Sequence, residues 1–322
     1  MNSDPARRRA LVGALMFCAG FAVCAQEFPA KPIHIITEEP GGGTDFAARL
    51  IAQGLAASAG LQVIVDNRGG ASGIIATQAV TKAAPDGYTL LLNGSPVWLL
   101  PLLQERVPYD PLRDLSPVIL ITRSPNLLAV HPSMPAKSVS ELIALAKAKP
   151  GALNYGSAAT GGSPHLAAEL FKALAGVDIV RVPYKGSAAA LNDVIGGRVQ
   201  LMFPTAATVM PHLKSDRLRI LAVTTAQPSL LVPGLPTIAE TLPGYESAAV
   251  NGVFAPAGTP PALVNRLYQE IARAVNRADV KEKFFNSGVE AVDVAPERFA
   301  ALIRAEMVRM GKVIRDAGIR GE

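Results

Sequence analysis

Aromatic residues are scarce in this chain, with Phe 10, Tyr 6 and Trp 1 among 322 residues. A core of the expected size must therefore rest on Ala, Val, Leu and Ile. Cysteine is scarcer still. Cys18 and Cys24 are the two present, both inside the first 25 residues. That excludes a disulfide framework, a thiol nucleophile and a cysteine-held metal for the rest of the chain. The four histidines, His34, His131, His165 and His212, are scattered. No H-E-x-x-H and no carboxylate-rich loop accompanies them, so no metal is expected. The G-x-S-x-G of a nucleophile elbow is missing. Gly41-Gly42-Gly43 lacks the G-K-[ST] of a P-loop, and Gly69-Gly70-x-x-Gly73 is not G-x-G-x-x-G, so no nucleotide cofactor is implied. A strong excess of one charge is also missing: Lys+Arg 31 stand against Asp+Glu 26, for a net charge of +5. With no basic run and no basic stretch interleaved with aromatics, a nucleic-acid partner is excluded.

What is present points to an exported globular protein. A hydrophobic fraction of 49% is too high for a disordered chain, and the length suits two domains. Arg7-Arg8-Arg9 precedes a short apolar stretch from Ala10 to Val23, too short for a stable membrane anchor. Val23-Cys24-Ala25 places small residues where a signal peptidase reads them, so residues 1–25 are expected to be a signal peptide cleaved after Ala25. A lipoprotein would need a small residue before its cysteine, whereas Phe17 and Val23 stand there. No later segment offers a long charge-free apolar run, so the mature chain is expected to be a soluble periplasmic protein.

Strands and helices alternate along that mature chain. Ile33 to Thr37, Gln62 to Asp66 and Tyr88 to Leu92 read as strands. The first is followed by the turn Pro40-Gly41-Gly42-Gly43-Thr44-Asp45 and helical spacing from Phe46 to Ala57. Strand, glycine turn, helix, strand is the pattern of a parallel sheet. The middle of the chain repeats it. Ser138-Val139-Ser140-Glu141 is a capping box, and Ser163-Pro164 reads as an N-cap followed by proline at the first helical position. After Gly252-Val253-Phe254-Ala255, two helices are expected to close the chain. Thr259 would cap the first, and Phe299, Leu302, Ile303, Met310 and Ile314 would share one face of the second.

Two loops stand out. The first is Gly41, Gly42, Gly43, Thr44 and Asp45. The second runs Tyr155-Gly156-Ser157-Ala158-Ala159-Thr160-Gly161-Gly162-Ser163. Each follows a strand and precedes a helix, so each offers backbone N–H groups and the positive end of a helix dipole, a site for an anion that needs no lysine or arginine. The plainer alternative is a pair of tight turns with ordinary caps. Asp45 and Arg49, at i and i+4, read as a local ion pair. His165 is either a cap residue or a donor to ligand. Trp98, after Asn93-Gly94-Ser95-Pro96, is either a cleft wall or core. Tyr184-Lys185-Gly186-Ser187 is either a donor loop or a turn.

Phe28-Pro29 through Lys31-Pro32-Ile33 and Pro40 to Asp45 resemble the opening of the tripartite tricarboxylate transporter receptors, the Bug family. The resemblance continues through Asn67-Arg68, Ala84-Pro85-Asp86-Gly87-Tyr88-Thr89-Leu90, Pro108-Tyr109-Asp110-Pro111, Asn154-Tyr155-Gly156-Ser157, Val182-Pro183-Tyr184-Lys185-Gly186 and Phe254-Ala255-Pro256-Ala257-Gly258-Thr259-Pro260. It implies the fold of a type II periplasmic binding protein: two α/β domains joined by two crossovers with a cleft between them. The domains would be 26–126 with 249–322, and 127–248. The implied function is that of a receptor for a small organic carboxylate, handing it to the subunits of a membrane carrier, with no catalysis and no cofactor. A monomer is expected. Candidate ligand-binding residues are Glu38, Gly41, Gly42, Gly43, Thr44, Asp45, Ser95, Ser157, Ala158, Thr160, Gly161, Ser163, His165, Lys185 and Gly186. A receptor feeding a signalling system, and an exported enzyme on the same scaffold, are the alternatives.

The chain departs from the family's pattern at the site. Glu38 stands where an aromatic residue is usual, Glu39 replaces a small residue or proline, Pro204 stands where aspartate is common, and Val250 replaces a tryptophan. A carboxylate at Glu38 would repel a second ligand carboxylate. The expected ligand therefore carries one carboxylate and, at its other end, a donor group, as in an amino acid or a hydroxylated acid.

Overall fold

Ile33-His34-Ile35-Ile36-Thr37 forms β1 (Ile33–Thr37), whose branched side chains are buried except at His34. It lies in a computed structural model that describes residues 28–319, apart from 39, 159, 185, 214 and 317. The expected signal peptide, its cleavage point after Ala25, and Lys185 lie outside the described residues. From Pro32 onward the chain packs as one unit.

The first sheet holds β1, β2 (Val63–Asn67), β3 (Thr89–Gly94), β4 (Leu115–Pro125), β10 (Ala248–Pro256) and β11 (Glu290–Val294). Its order is β11-β4-β10-β3-β1-β2. β1 runs parallel to β2 and β3, so β1, β2 and β3 end on the same edge. β10 is antiparallel to both β3 and β4. The second sheet holds β5 (Leu127–Val130), β6 (Asn154–Ser157), β7 (Val180–Pro183), β8 (Leu201–Met202) and β9 (Arg219–Val223), in the order β7-β6-β8-β5-β9. β6 is parallel to β7 and β8. The chain passes from the first sheet to the second at Asn126 and returns between Thr224 and Ala248.

The helices are α1 (Gly43–Ala59), α2 (Ile74–Thr81), α3 (Pro96–Leu103), α4 (Val139–Ala148), α5 (Ser163–Ala175), α6 (Ser187–Ile195), α7 (Ala206–Val209), α8 (Pro261–Val275), α9 (Ala278–Asn286) and α10 (Pro296–Asp316). α1 buries Ala47, Ala48, Leu50, Ile51 and Leu55. Its Gly54 lets α8 approach closely, since a side chain there would begin 3.0 Å from the Ala274 Cβ. The few aromatics concentrate where the sheets need bulk. Trp98, Phe254 and Phe299 pack with ring centroids 5.1 to 6.1 Å apart. Phe171 packs against Phe203 and Tyr245 in the second half. Trp98 is therefore core, 1% exposed, with its Nε1 donating to Glu306 at 2.9 Å. Among the described residues, no helix is long and apolar enough to cross a membrane.

Half of the expected capping box forms: the Ser138 side chain accepts from the Glu141 N–H, while the Glu141 carboxylate accepts from the Lys137 N–H. Other expectations are corrected. The N-cap of α5 is Gly162, and Ser163 is its first helical residue. Thr259 donates its hydroxyl to the Pro256 carbonyl, and Pro260 holds the N-cap position of α8. Three helices and a strand follow Phe254 where two helices were expected. Leu302, placed on the buried face of α10, is 46% exposed. The long strand β4 went unread because Pro117 and Pro125 resemble strand ends. A register irregularity opposite Pro117 accommodates its missing N–H.

Candidate functional site

The two glycine loops are built alike. In the first, Gly41 has φ +80, Gly42 is the N-cap of α1, and no side chain caps the helix. In the second, Gly161 has φ +80, Gly162 is the N-cap of α5, and again no side chain caps the helix. Only glycine adopts that left-handed conformation without steric cost. In each loop the same glycine donates its N–H to the side chain four residues on. The Gly41 N–H reaches Asp45 Oδ2 at 2.9 Å, and the Gly161 N–H reaches His165 Nδ1 at 3.0 Å. The first turns of both helices are thus left without a side-chain cap at the carboxyl ends of parallel strands, where open α/β sheets bind ligands.

Each loop is fastened from beneath. Asp45 is buried and receives Arg49 Nε at 3.0 Å and Asn67 Nδ2 at 2.9 Å. The hydrogen bond from Arg49, aided by the Gly41 N–H and Asn67, holds the Asp45 carboxyl down to about 2. Asn67 Nδ2 also donates to the Glu38 carbonyl, tying β2 to the loop. Under the second loop lies Arg181 on β7. Its Nε donates to Ser157 Oγ at 2.8 Å, and its two terminal nitrogens donate to Thr160 Oγ1 and to the Ala158 carbonyl, each at 2.9 Å. Burial, reinforced by the charges of Arg181 and Lys172, holds His165 down to about 3, so the ring is neutral and free to accept at Nδ1.

Asp45, Ser157, Thr160, Ser163 and His165 therefore direct polar atoms into the protein and shape the loops. The Ser163 hydroxyl donates to Oδ1 of Asn126, the fully buried residue between the sheets, whose Nδ2 donates to the Phe203 carbonyl at 2.7 Å. Gly41, Gly42 and Gly43 are exposed and Thr44 is half-buried. Gly161 sits on the end of α3, where a side chain would begin 2.5 Å from Leu103 Cδ1. Gly186 is the N-cap of α6, Ser95 is buried ahead of α3, and the Tyr184 hydroxyl is taken by Asp193 at 2.8 Å. Glu38 is half-buried at the end of β1, beside Gly73 and Asn93.

Sequence reasoning missed Arg181 and Asn93. Arg181 interrupts Val180-Arg181-Val182 in a short strand, which was the available signal. Asn93 is a polar residue ending the apolar run Leu90-Leu91-Leu92. Among the described residues no group of three or more His, Cys, Asp or Glu is placed to hold a metal. Two cavities, of about 830 and 1030 Å³, lie elsewhere, against α10 at the end of α3 and along α5.

Two α/β sheets, each presenting an uncapped helix behind a clamped glycine turn, define a solute-binding protein of the two-sheet α/β class. The profile of the tripartite tricarboxylate transporter family receptors matches residues 47–319, and the chain belongs to that family, whose members are receptors and not enzymes. It is 37% identical to protein BugT of Bordetella pertussis, over 98% of each chain. Among solved structures it resembles R. palustris Rpa4515 with adipate, at 39% identity and TM-score 0.79, covering 91% of this chain and 99% of that one. MatC from Rhodopseudomonas palustris with bound malate is 31% identical, with TM-score 0.74 over 89% and 100% of the two chains.

Proposed function

We propose that this protein is an extracytoplasmic receptor that binds one small organic carboxylate between two lobes, residues 26–126 with 249–322 and residues 127–248, and delivers it to a membrane carrier. The observation that carries this reading is the duplicated loop. Two sheets independently present a φ +80 glycine, a clamp four residues on, and a helix start with no side-chain cap. Free N–H groups at a helix start attract an anion through aligned dipoles. Charge-assisted hydrogen bonds contribute roughly 1.5–3 kcal/mol each. Three or four of them, less the cost of association, reach roughly −8 kcal/mol, the range of a micromolar complex. The adipate and malate of the two related structures are small carboxylates of this kind. Export to the periplasm, with cleavage after Ala25, fits the same role.

The test is a thermal-shift screen of the mature protein against mono- and dicarboxylates of four to eight carbons. A true ligand at 100 times its Kd should add about 2.7 kcal/mol of stability. A full set of carboxylates that leaves the melting temperature unmoved would refute the reading.

A further inference from the structure

The chain passes between the two sheets twice, and both crossings meet at one buried node. Asn126 stands between β4 and β5, Thr224 follows β9, and Ser247 precedes β10. Asn126 and Thr224 are fully buried. The Asn126 N–H donates to Thr224 Oγ1 at 2.8 Å, and the Thr224 N–H donates back to the Asn126 carbonyl at 3.0 Å. The Ser247 N–H donates to the Thr224 carbonyl at 2.9 Å, which closes the return crossing onto the first. The Asn126 side chain reaches further. Its Nδ2 donates to the Phe203 carbonyl at 2.7 Å, and its Oδ1 accepts from the Ser163 hydroxyl. Ser163 is the first residue of α5, two positions after Gly161. The crossing is thus hydrogen-bonded directly to the second glycine loop, and both ends of a buried amide are satisfied in doing so. Two residues earlier, Ser124 donates its hydroxyl to the Gly288 carbonyl at 2.8 Å. Within three residues the chain therefore changes from partners beside the first sheet to partners beside the second.

The same loop is covered from the other side. The place a Gly161 Cβ would take lies 2.5 Å from Leu103 Cδ1 and 3.8 Å from Leu100 Cδ2, at the end of α3, the helix that follows β3 of the first sheet. Gly41, its twin in the first loop, shares φ +80, yet a Cβ there would meet nothing within 4 Å. Glycine is thus required twice at 161, by its conformation and by the leucine over it. The first loop takes its clamps from its own sheet, through Asp45 and Asn67. The second is gripped between Asn126 at the crossing and Leu103 from the other lobe. Rotation of one lobe against the other turns about the crossings, so it moves Leu103 against a loop that Asn126 holds in place. We infer that Asn126 is a positioning residue of the receptor. Without touching the ligand, it fixes the start of α5 to the crossing, so that the set of the second loop's amides and the angle between the lobes depend on each other. This rests on the carboxylate-receptor reading above and deepens it. A residue with only a structural role would lower the stability of the fold and leave both the affinity of the folded protein and its lobe angle as they were.

The test compares the native mature protein with Ser163→Ala, which removes the donor, Asn126→Ala, which removes the acceptor, and the double variant. Titration calorimetry uses adipate and malate as probes. Each single variant should bind at least tenfold more weakly, and the double variant no more weakly than Asn126→Ala, because both changes break one bond. Unchanged affinities overturn the inference, and so do losses that add, which would mark Ser163 as a separate ligand contact. The second readout needs no ligand. Cys18 and Cys24 fall in the expected signal peptide, so cysteines placed at the exposed Gln53 on α1 and Lys147 on α4 carry spin labels alone, one in each lobe. The distribution of distances between the labels should broaden in Ser163→Ala, and a distribution identical to that of the native protein overturns the inference. If Asn126→Ala fails to fold, Ser163→Ala decides on both readouts. If neither acid binds the native protein, the distance distribution decides the inference, and the wider carboxylate screen separately decides the receptor reading.

Discussion

Mild acid should loosen the second glycine loop before most carboxylates titrate. His165 accepts the Gly161 N–H at Nδ1 and is 3% exposed. Its protonated form is held down to about 3 by burial and then by the Arg181 and Lys172 charges. In the unfolded chain a histidine titrates near 6.5. Below that value the unfolded state binds a proton that the folded state refuses, so stability falls as pH falls, by up to about 1.4 kcal/mol per pH unit, levelling off near the folded value. From pH 7.5 to 5 the loss amounts to about 2 kcal/mol. Glu306 acts in the opposite direction, because burial raises its carboxyl, and its protonation returns stability as pH falls. The informative quantity is therefore the difference between the native protein and His165→Gln, in which the glutamine oxygen can still accept the Gly161 N–H but carries no titrating proton. Urea unfolding at pH 7.5, 6 and 5 should show the native protein losing about 2 kcal/mol more than the variant. Parallel pH profiles for the two would refute the reasoning and mean that Gly161 does not depend on a neutral imidazole.

Arg181→Met should weaken carboxylate binding at least tenfold, about 1.4 kcal/mol, by releasing Ser157, Thr160 and the Ala158 carbonyl; unchanged affinity by calorimetry would remove Arg181 from the site. Gly41→Val should lower both stability and affinity more than Gly42→Val, because positive φ falls at Gly41 while Gly42 has φ −80; equal melting temperatures would contradict that. Asp45→Asn should reduce the native protein's stability loss as pH falls from about 4 to about 2, since the folded Asp45 carboxyl stays ionised to about 2 and is held so by Arg49, while Asp114, Asp193 and Asp279, also held low by their hydrogen-bond partners, go on contributing to the loss; acid titration of both forms checks it. Mass spectrometry of periplasmic protein should give Gln26 as the first residue, and a lipid-modified Cys24 would overturn the export reading.

The elements read most readily from the residues were those whose signals are local. Pro40 to Asp45, preceded by Ile33 to Thr37, announces strand, turn and helix within a dozen residues. The run of motifs from Phe28 to Pro260 identified the family and its fold class. The unread parts depend on distant partners. β11, Glu290–Val294, is a half-buried edge strand with two acidic residues, and it is a strand because β4 is beside it. Asn93 comes beside Glu38 and Gly73 only once β1 and β3 pair in register. Arg181 looks like an ordinary strand residue until β6 and β7 pair Tyr155 with it. The cap of α5 was assigned one residue late, because Ser163 has the chemistry of a cap, while Gly162 has the backbone conformation.

The loops also differ in charge, and that difference orients the ligand on the proposed reading. Beneath the first loop, Arg49 is matched by Asp45, so the pair adds little net field. Beneath the second, Arg181 gives its hydrogen bonds to two hydroxyls and a carbonyl, and its charge adds to the dipole of α5 instead of being offset by an acid within that set. An anionic group is then drawn more strongly to the second loop, with the exposed amides of Gly42 and Gly43 closing on it from the first.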